Sequence, residues 1–172
     1  MPKLKYRFRV RVVNFGPVSG GLELTQQVMT VDKPKVNWEE VTLDAYNSKA
    51  YVGGKHSWDS ISLTLRDDLT NGVSKLVGHQ VQKQLNHFEQ TAYAAGQNYK
   101  FVMMIEQMDG GNDVVVEKWT CEGCWLTNAT YSDLDYSASD VNTIQLTIRF
   151  DNATLADGLF TEVPDIIPGI RA

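Results

Sequence analysis

From Lys3 to Val12 the chain alternates without a break: Lys or Arg at every odd position, and Leu4, Tyr6, Phe8, Val10 and Val12 at the even ones. A repeat of two cannot be a helix, whose faces recur every 3.6 residues, so this segment must be a strand with one apolar face. The same period returns at Ile61, Leu63 and Leu65 against Ser60, Ser62, Thr64 and Arg66. It returns again where Ile144, Leu146, Ile148 and Phe150 alternate with Thr143, Gln145, Thr147 and Arg149. A chain that writes several half-buried strands must stack their apolar faces on one another. The cations of the first segment read as guards on an edge strand, with a docking face for an acidic neighbour as the alternative.

The remaining punctuation fits that plan. Asn14-Phe15-Gly16-Pro17 is a turn, and residues 21–31 form a less regular strand. Residues 36–44 and 58–66 are strands joined by a long connection with Gly53-Gly54 near its tip, which together make an extended hairpin. Residues 99–107 and 114–121 flank Asp109-Gly110-Gly111-Asn112 and form another hairpin. One helix interrupts the strands. Val77, Val81, Leu85, Phe88, Ala92 and Ala95 recur at spacings of three and four, which predicts a helix over about 74–95, capped by Ser74 and stopped by Gly96. The expected fold is mostly β: an antiparallel β-sandwich or barrel with one α-helix packed on it, an extended hairpin loop and a C-terminal arm. Residues 1–151 make the β domain, and residues 152–172, with Pro164 and Pro168, make the arm.

At 172 residues one domain can bury enough surface to need neither disulfide nor metal. The first residues have no signal-peptide core and no apolar run approaches membrane-spanning length, so a soluble cytosolic protein is expected. The net charge is −5, and the first strand supplies five of the 16 basic residues. What remains sets 11 basic against 21 acidic residues. So acidic a body repels a nucleic-acid backbone, which argues against sequence-specific DNA recognition.

No catalytic constellation emerges. Cys121-Glu122-Gly123-Cys124 has redox spacing, but no helical period follows it to lower a thiol pKa, and no second ligand pair completes a zinc site. Both cysteines read as small apolar side chains beside a bulge at Gly123. His79, Lys83 and His87 repeat every four residues on the polar side of the helix, and His56 stands alone. Asp67, Asp68, Asp133, Asp135 and Asp140 sit among Ser and Asn, where Asp bonds the backbone of turns. No cofactor, metal or enzymatic activity is expected.

Two stretches carry a resemblance. One runs from Glu122-Gly-Cys-Trp-Leu-Thr-Asn through Leu134-Asp-Tyr-Ser-Ala-Ser to Val141-Asn-Thr-Ile-Gln-Leu-Thr-Ile-Arg-Phe-Asp. The other is Gly53-Gly-Lys-His-Ser-Trp-Asp-Ser-Ile-Ser-Leu-Thr-Leu-Arg-Asp-Asp. Their order, with the helix between them, resembles the tail tube proteins of contractile-tailed phages over about residues 3–151. Compared with that family, the chain is expected to lack a leader and to continue past Asp151.

The resemblance implies a structural protein whose β-barrel subunits form rings of six. Sheets of neighbours would join around a lumen, and rings would stack into the inner tube of a contractile tail. The partners implied are further copies of the chain, a sheath around the tube, and a baseplate and terminator at its ends. DNA would pass through without specific binding, the location would be the virion tail, and assembly would occur in the host cytoplasm. Ser60, Ser62, Thr64, Gln145 and Thr147 would face the lumen. Tyr46, Lys49, Tyr51, Gly53, Gly54, Lys55 and His56 would reach the adjacent ring. Phe160, Ile166, Ile167 and Ile170 would be covered by a neighbouring subunit. The rival functions are the tube of a type VI secretion system or phage-like bacteriocin, and a monomeric β-barrel that binds a small ligand.

Overall fold

The computed structural model describes residues 3–92, 99–109, 114–137 and 139–156. Its strands are β1 (Phe8–Phe15), β2 (Val18–Glu23), β3 (Val28–Val31), β4 (Val36–Ala45), β5 (Ser48–Trp58) and β6 (Ile61–Arg66). Helix α1 (Gly72–Gln84) follows, then a two-residue pair, β7 (Leu85–Asn86) and β8 (Thr91–Ala92). The chain ends in β9 (Phe101–Met108), β10 (Val115–Tyr131), β11 (Thr143–Arg149) and β12 (Asn152–Ala156).

Eight strands form one hydrogen-bonded network in the order β2-β1-β9-β10-β11-β6-β3, with β12 also on β10. All its pairings are antiparallel. It folds into two layers, because β10 is 17 residues long and serves both. Its first half pairs β9 and β12, and its second half pairs β11. The path begins and ends on consecutive strands. Residues 24–27 carry the chain from one layer to the other and remain tied to both, with Leu24 N–H donating to Val10 O (3.0 Å) and Arg66 N–H to Gln27 O (2.6 Å). Between the layers lie Val10, Val12, Phe15, Leu63, Leu65, Met103, Leu146 and Ile148, each nearly or wholly buried.

The turn of β10 is made by a bulge. Cys121 pairs Met103 and Cys124 pairs Phe101, so the register slips across Glu122 and Gly123. Residues three apart on a regular strand face opposite sides. The extra residue rotates the second cysteine inward, and both thiols lie in the core with no exposure. Gly123 has φ +66°, and the Asp151 carboxylate occupies the space a Cβ would need. Only glycine fits there.

Several expectations change. Residues 36–44 do not pair with 58–66: their partner is β5, within the expected connection, and β6 pairs β3 and β11 instead. Residues 152–156, expected in the arm, form β12 on β10. The strand expected over 3–12 begins only at Phe8, with residues 3–7 outside it, and β1 is not an edge strand: β2 and β9 flank it, and the cations of this segment are used inside the fold. Arg9 donates to Glu106 at 2.8 Å, Arg11 lies 3.8 Å from Glu23, and the Arg7 guanidinium donates to Asp109 O at 3.2 Å. The expected strand over 21–31 is two strands in different layers. The helix stops at Gln84 and does not run to 95, because Asn86 Oδ1 accepts from the Gln82 side chain and from the N–H groups of Phe88 and Glu89, an Asx turn that outcompetes the helix. Leu85, Phe88 and Ala92 are consequently exposed, while residues 93–98, with Ala95 and Gly96, lie outside the described residues.

The cap also differs. Ser74 lies inside the helix, and Asp68 Oδ1 accepts the Gly72 N–H at 2.8 Å. The Thr70 hydroxyl, then the Gly72 N–H, hold the Asp68 carboxyl below its usual pKa range. The helix is clipped to the strands by amides. Gln80, wholly buried, accepts from Gly16 N–H at 2.9 Å and donates to Tyr99 O at 2.7 Å. Gln84 accepts from Leu126 N–H (2.9 Å) and donates to Leu126 O (2.8 Å), as a strand residue would. Lys83 reaches Asn14 Oδ1 at 3.3 Å, so it does not share a solvated face with His79 and His87.

Candidate functional site

Four of the five residues expected to face a lumen come together. Thr64 stands opposite Gln145, and Ser62 opposite Thr147, on the face of β6 and β11 that points away from the core. Gln145 donates to the Ser62 hydroxyl at 3.2 Å. The pairing extends this face over four strands: Thr30 opposes Thr64, Gln145 opposes Thr130, and Thr147 opposes Asn128. The result is a band of hydroxyls and amides, Thr30, Thr64, Gln145 and Thr130 in one row and Ser62, Thr147 and Asn128 in the next. No charge interrupts these rows; Arg66 and Arg149 stand beyond them at opposite ends of β6 and β11. Ser60 is exposed just before β6, outside the ladder. Thr30, Asn128 and Thr130 were missed because their strands are irregular: both carry register shifts that break the period of two.

The second surface is the hairpin β4–β5, whose strands form a two-stranded sheet of their own. Its register runs from Val36 opposite Trp58 to Ala45 opposite Ser48, so the tip is Tyr46-Asn47 and not Gly53-Gly54. Tyr46 takes φ 43° to make that turn. Gly54 has a different duty. It lies in a bulge opposite Glu39, where a Cβ would come within 3.1 Å of the Glu39 carbonyl.

Tyr46, Lys49, Tyr51, Gly53, Lys55 and His56 are all exposed along the hairpin, and Lys49 lies 3.8 Å from Asp44. The His56 ring meets the edge of Trp58, which packs on Phe150 and anchors the hairpin base. One face of the outer half is apolar: Val41 opposes Val52 and Leu43 opposes Ala50, with exposures of 46, 49 and 51% for Val41, Val52 and Leu43. Uncovered valine and leucine on a projecting sheet are interface chemistry.

A third feature opens between the layers. A cavity of about 750 Å³ is lined by Phe8, Val28, Val31, Ile105 and Trp119, with Lys5, Lys33 and Glu117 at its rim. Glu117 joins both sides of this opening. Lys3 donates to one carboxylate oxygen, Lys33 (2.7 Å) and the Trp119 indole (2.7 Å) to the other. Partial burial opposes ionisation of Glu117, but these three donors outweigh it and hold the pKa down to about 2.

The cysteines have no such partners. Burial pushes the Cys121 thiol far up and Cys124 up to about 12, and the Cys124 thiol donates to Cys121 O at 3.3 Å. A thiol that will not ionise is a poor nucleophile and a poor metal ligand. Among the described residues no three His, Cys, Asp or Glu side chains gather to hold a metal. Asp135 bonds the Ser137 N–H and hydroxyl, as an Asx turn does. Replacing either cysteine with Ala should cost about 1 kcal/mol and leave assembly intact, checked by urea denaturation and electron microscopy. Failure of the double variant to assemble while still folded would give the pair another role. The arm residues Phe160, Ile166, Ile167 and Ile170 lie outside the described residues.

No family model matches the chain, and no curated protein does. Solved structures share its fold. A chain of the anti-feeding prophage baseplate, a 6-fold symmetrised structure, superposes with TM-score 0.72 at 12% identity, covering 91% of this chain and 96% of its own. A chain of the sheath–tube complex of an extracellular contractile injection system, in its extended state, gives TM-score 0.64 at 17% identity over 90 and 91%. Hcp1 from Flavobacterium johnsoniae gives 0.51 at 9% identity over 88 and 95%. The mostly antiparallel fold is thus shared with chains of contractile injection systems.

Proposed function

We propose that this chain is a tube subunit: it forms hexameric rings that stack into the inner tube of a contractile phage tail. The observation that carries this is the uncharged polar band on the outer face of the second layer. A conduit wall must stay wet yet hold nothing, and hydroxyls and amides without fixed charge do both. Among the described residues the band ends at two unpaired strand edges, β3 and the part of β10 beyond Leu126. Pairing β3 of one copy with β10 of the next would continue the row from Thr130 to Thr30 and remove both edges. Ser62, Thr64, Gln145 and Thr147 then line the lumen, through which DNA passes without specific binding. The hairpin reaches the adjacent ring, a sheath surrounds the tube, and a baseplate and a terminator close its ends. Assembly takes place in the host cytoplasm, and the tube ends up in the virion tail.

A second reading keeps the tube and changes the cargo. It is favoured by the anti-feeding prophage and extracellular injection system chains that share the fold. Sheath and terminase genes beside this one would decide for the phage. The assembly itself is tested by negative-stain microscopy of the purified protein, which should show rings or tubes at moderate concentration. A concentration-independent monomer in sedimentation, with no tubes in concentrated protein, would sink the proposal.

A further inference from the structure

We infer that the cavity between the layers is the seat of the part of the chain's own C-terminal arm that follows β12, residues 157–172, docked in cis with Phe160 among its apolar anchors. Three observations meet at this place. The first is where the described chain leads. Leu155 lies opposite Trp119, in the row that also holds Ile105 and Val10, so it shares their core-facing side. β12 runs antiparallel to β10, and its direction past Ala156 leads toward Glu117 and the cavity mouth.

The second is chemistry. The walls are Phe8, Val28, Val31, Ile105 and Trp119, and the arm brings Leu159, Phe160, Ile166, Ile167 and Ile170. The third is reach. An extended chain covers about 3.3 Å per residue, so a few residues bring Phe160 from β12 to a cavity that begins at the neighbouring side chain. Tethering at that distance gives the arm an effective concentration on the order of millimolar, which no second copy matches in dilute solution. The inference does not depend on the tube reading.

Met29 lines the cavity and is 43% exposed, which makes it a probe. The full-length protein, dilute enough to be monomeric, is treated with hydrogen peroxide and its methionine sulfoxides are mapped by mass spectrometry. With the arm seated, Met29 should oxidise about fivefold or more slowly than in Phe160→Asp or Ile166→Asp, whose arms are released. Met103, fully buried, should stay slow in every variant and so reports that the body is folded. Equal Met29 rates in all three proteins overturn the inference. Protection that appears only as concentration rises also overturns it, because the occupant would then be another copy's arm.

Discussion

Removing residues 41–52 and closing Glu40 onto Gly53 with a two-residue turn should give a folded protein whose rings no longer stack. None of the residues buried in the core lies on β4 or β5, and the base pairs Val36–Trp58 and Trp38–His56 remain. Stability in urea should therefore change by no more than about 0.5 kcal/mol, the scale of surface substitutions. Tubes seen by microscopy should fall by on the order of tenfold or more, since truncating the centre of an interface removes most of its binding energy. The deletion takes away the apolar face of Val41, Leu43 and Val52 together with Tyr46, Lys49 and Tyr51. Val41→Asp with Leu43→Asp should reproduce the loss without shortening anything. Long tubes of normal morphology from the shortened protein would show that another element stacks the rings.

A large stability loss from the addition of a single methyl group is expected at Gly123. Gly123→Ala puts a Cβ on a left-handed backbone and drives it into the Asp151 carboxylate, which also holds Lys100. The strain and the displaced pair together should cost about 3 kcal/mol. Gly20 is the control: nothing lies within 4 Å of a Cβ there, so Gly20→Ala should be nearly neutral. Equal denaturation midpoints for the two variants would mean that β10 does not turn its corner as described.

How far the sequence could be read depends on whether a segment's period survives its neighbours. β6 and β11 alternate without a register shift between them, and their wet face could be assigned residue by residue. β10 could not be read to its end, because the bulge at Gly123 inverts the period halfway along. Gly53-Gly54 suggested a tip, since glycine pairs usually turn the chain, yet Gly54 serves a close approach to Glu39. Arg9 and Arg11 of β1 looked like edge guards because their partners, Glu106 and Glu23, lie on other strands and leave no local sign. The helix overran for the opposite reason: Leu85 and Phe88 continued a helical spacing that the Asn86 side chain ends. The apolar face of the hairpin was legible in the alternation of Val41, Leu43 and Ala45, but that stretch was read for its charges and aromatics.

The strand shared by both layers also sets the order of events in folding. Arg9 and its partner Glu106 are 97 positions apart, so β1 leaves the ribosome long before β9 and β10 exist to receive it. The local pairs β1–β2 and β4–β5 can form early, but neither layer is complete until residues 115–131 are laid down. Such non-local closure is slow, and unpaired strand edges stay open while it waits. If copies join through these edges, as proposed above, the nascent and the assembled states compete for the same hydrogen bonds. The late arrival of β10 means that the two layers close only after residues 115–131 have emerged, so the proposed joining of copies has to wait for them.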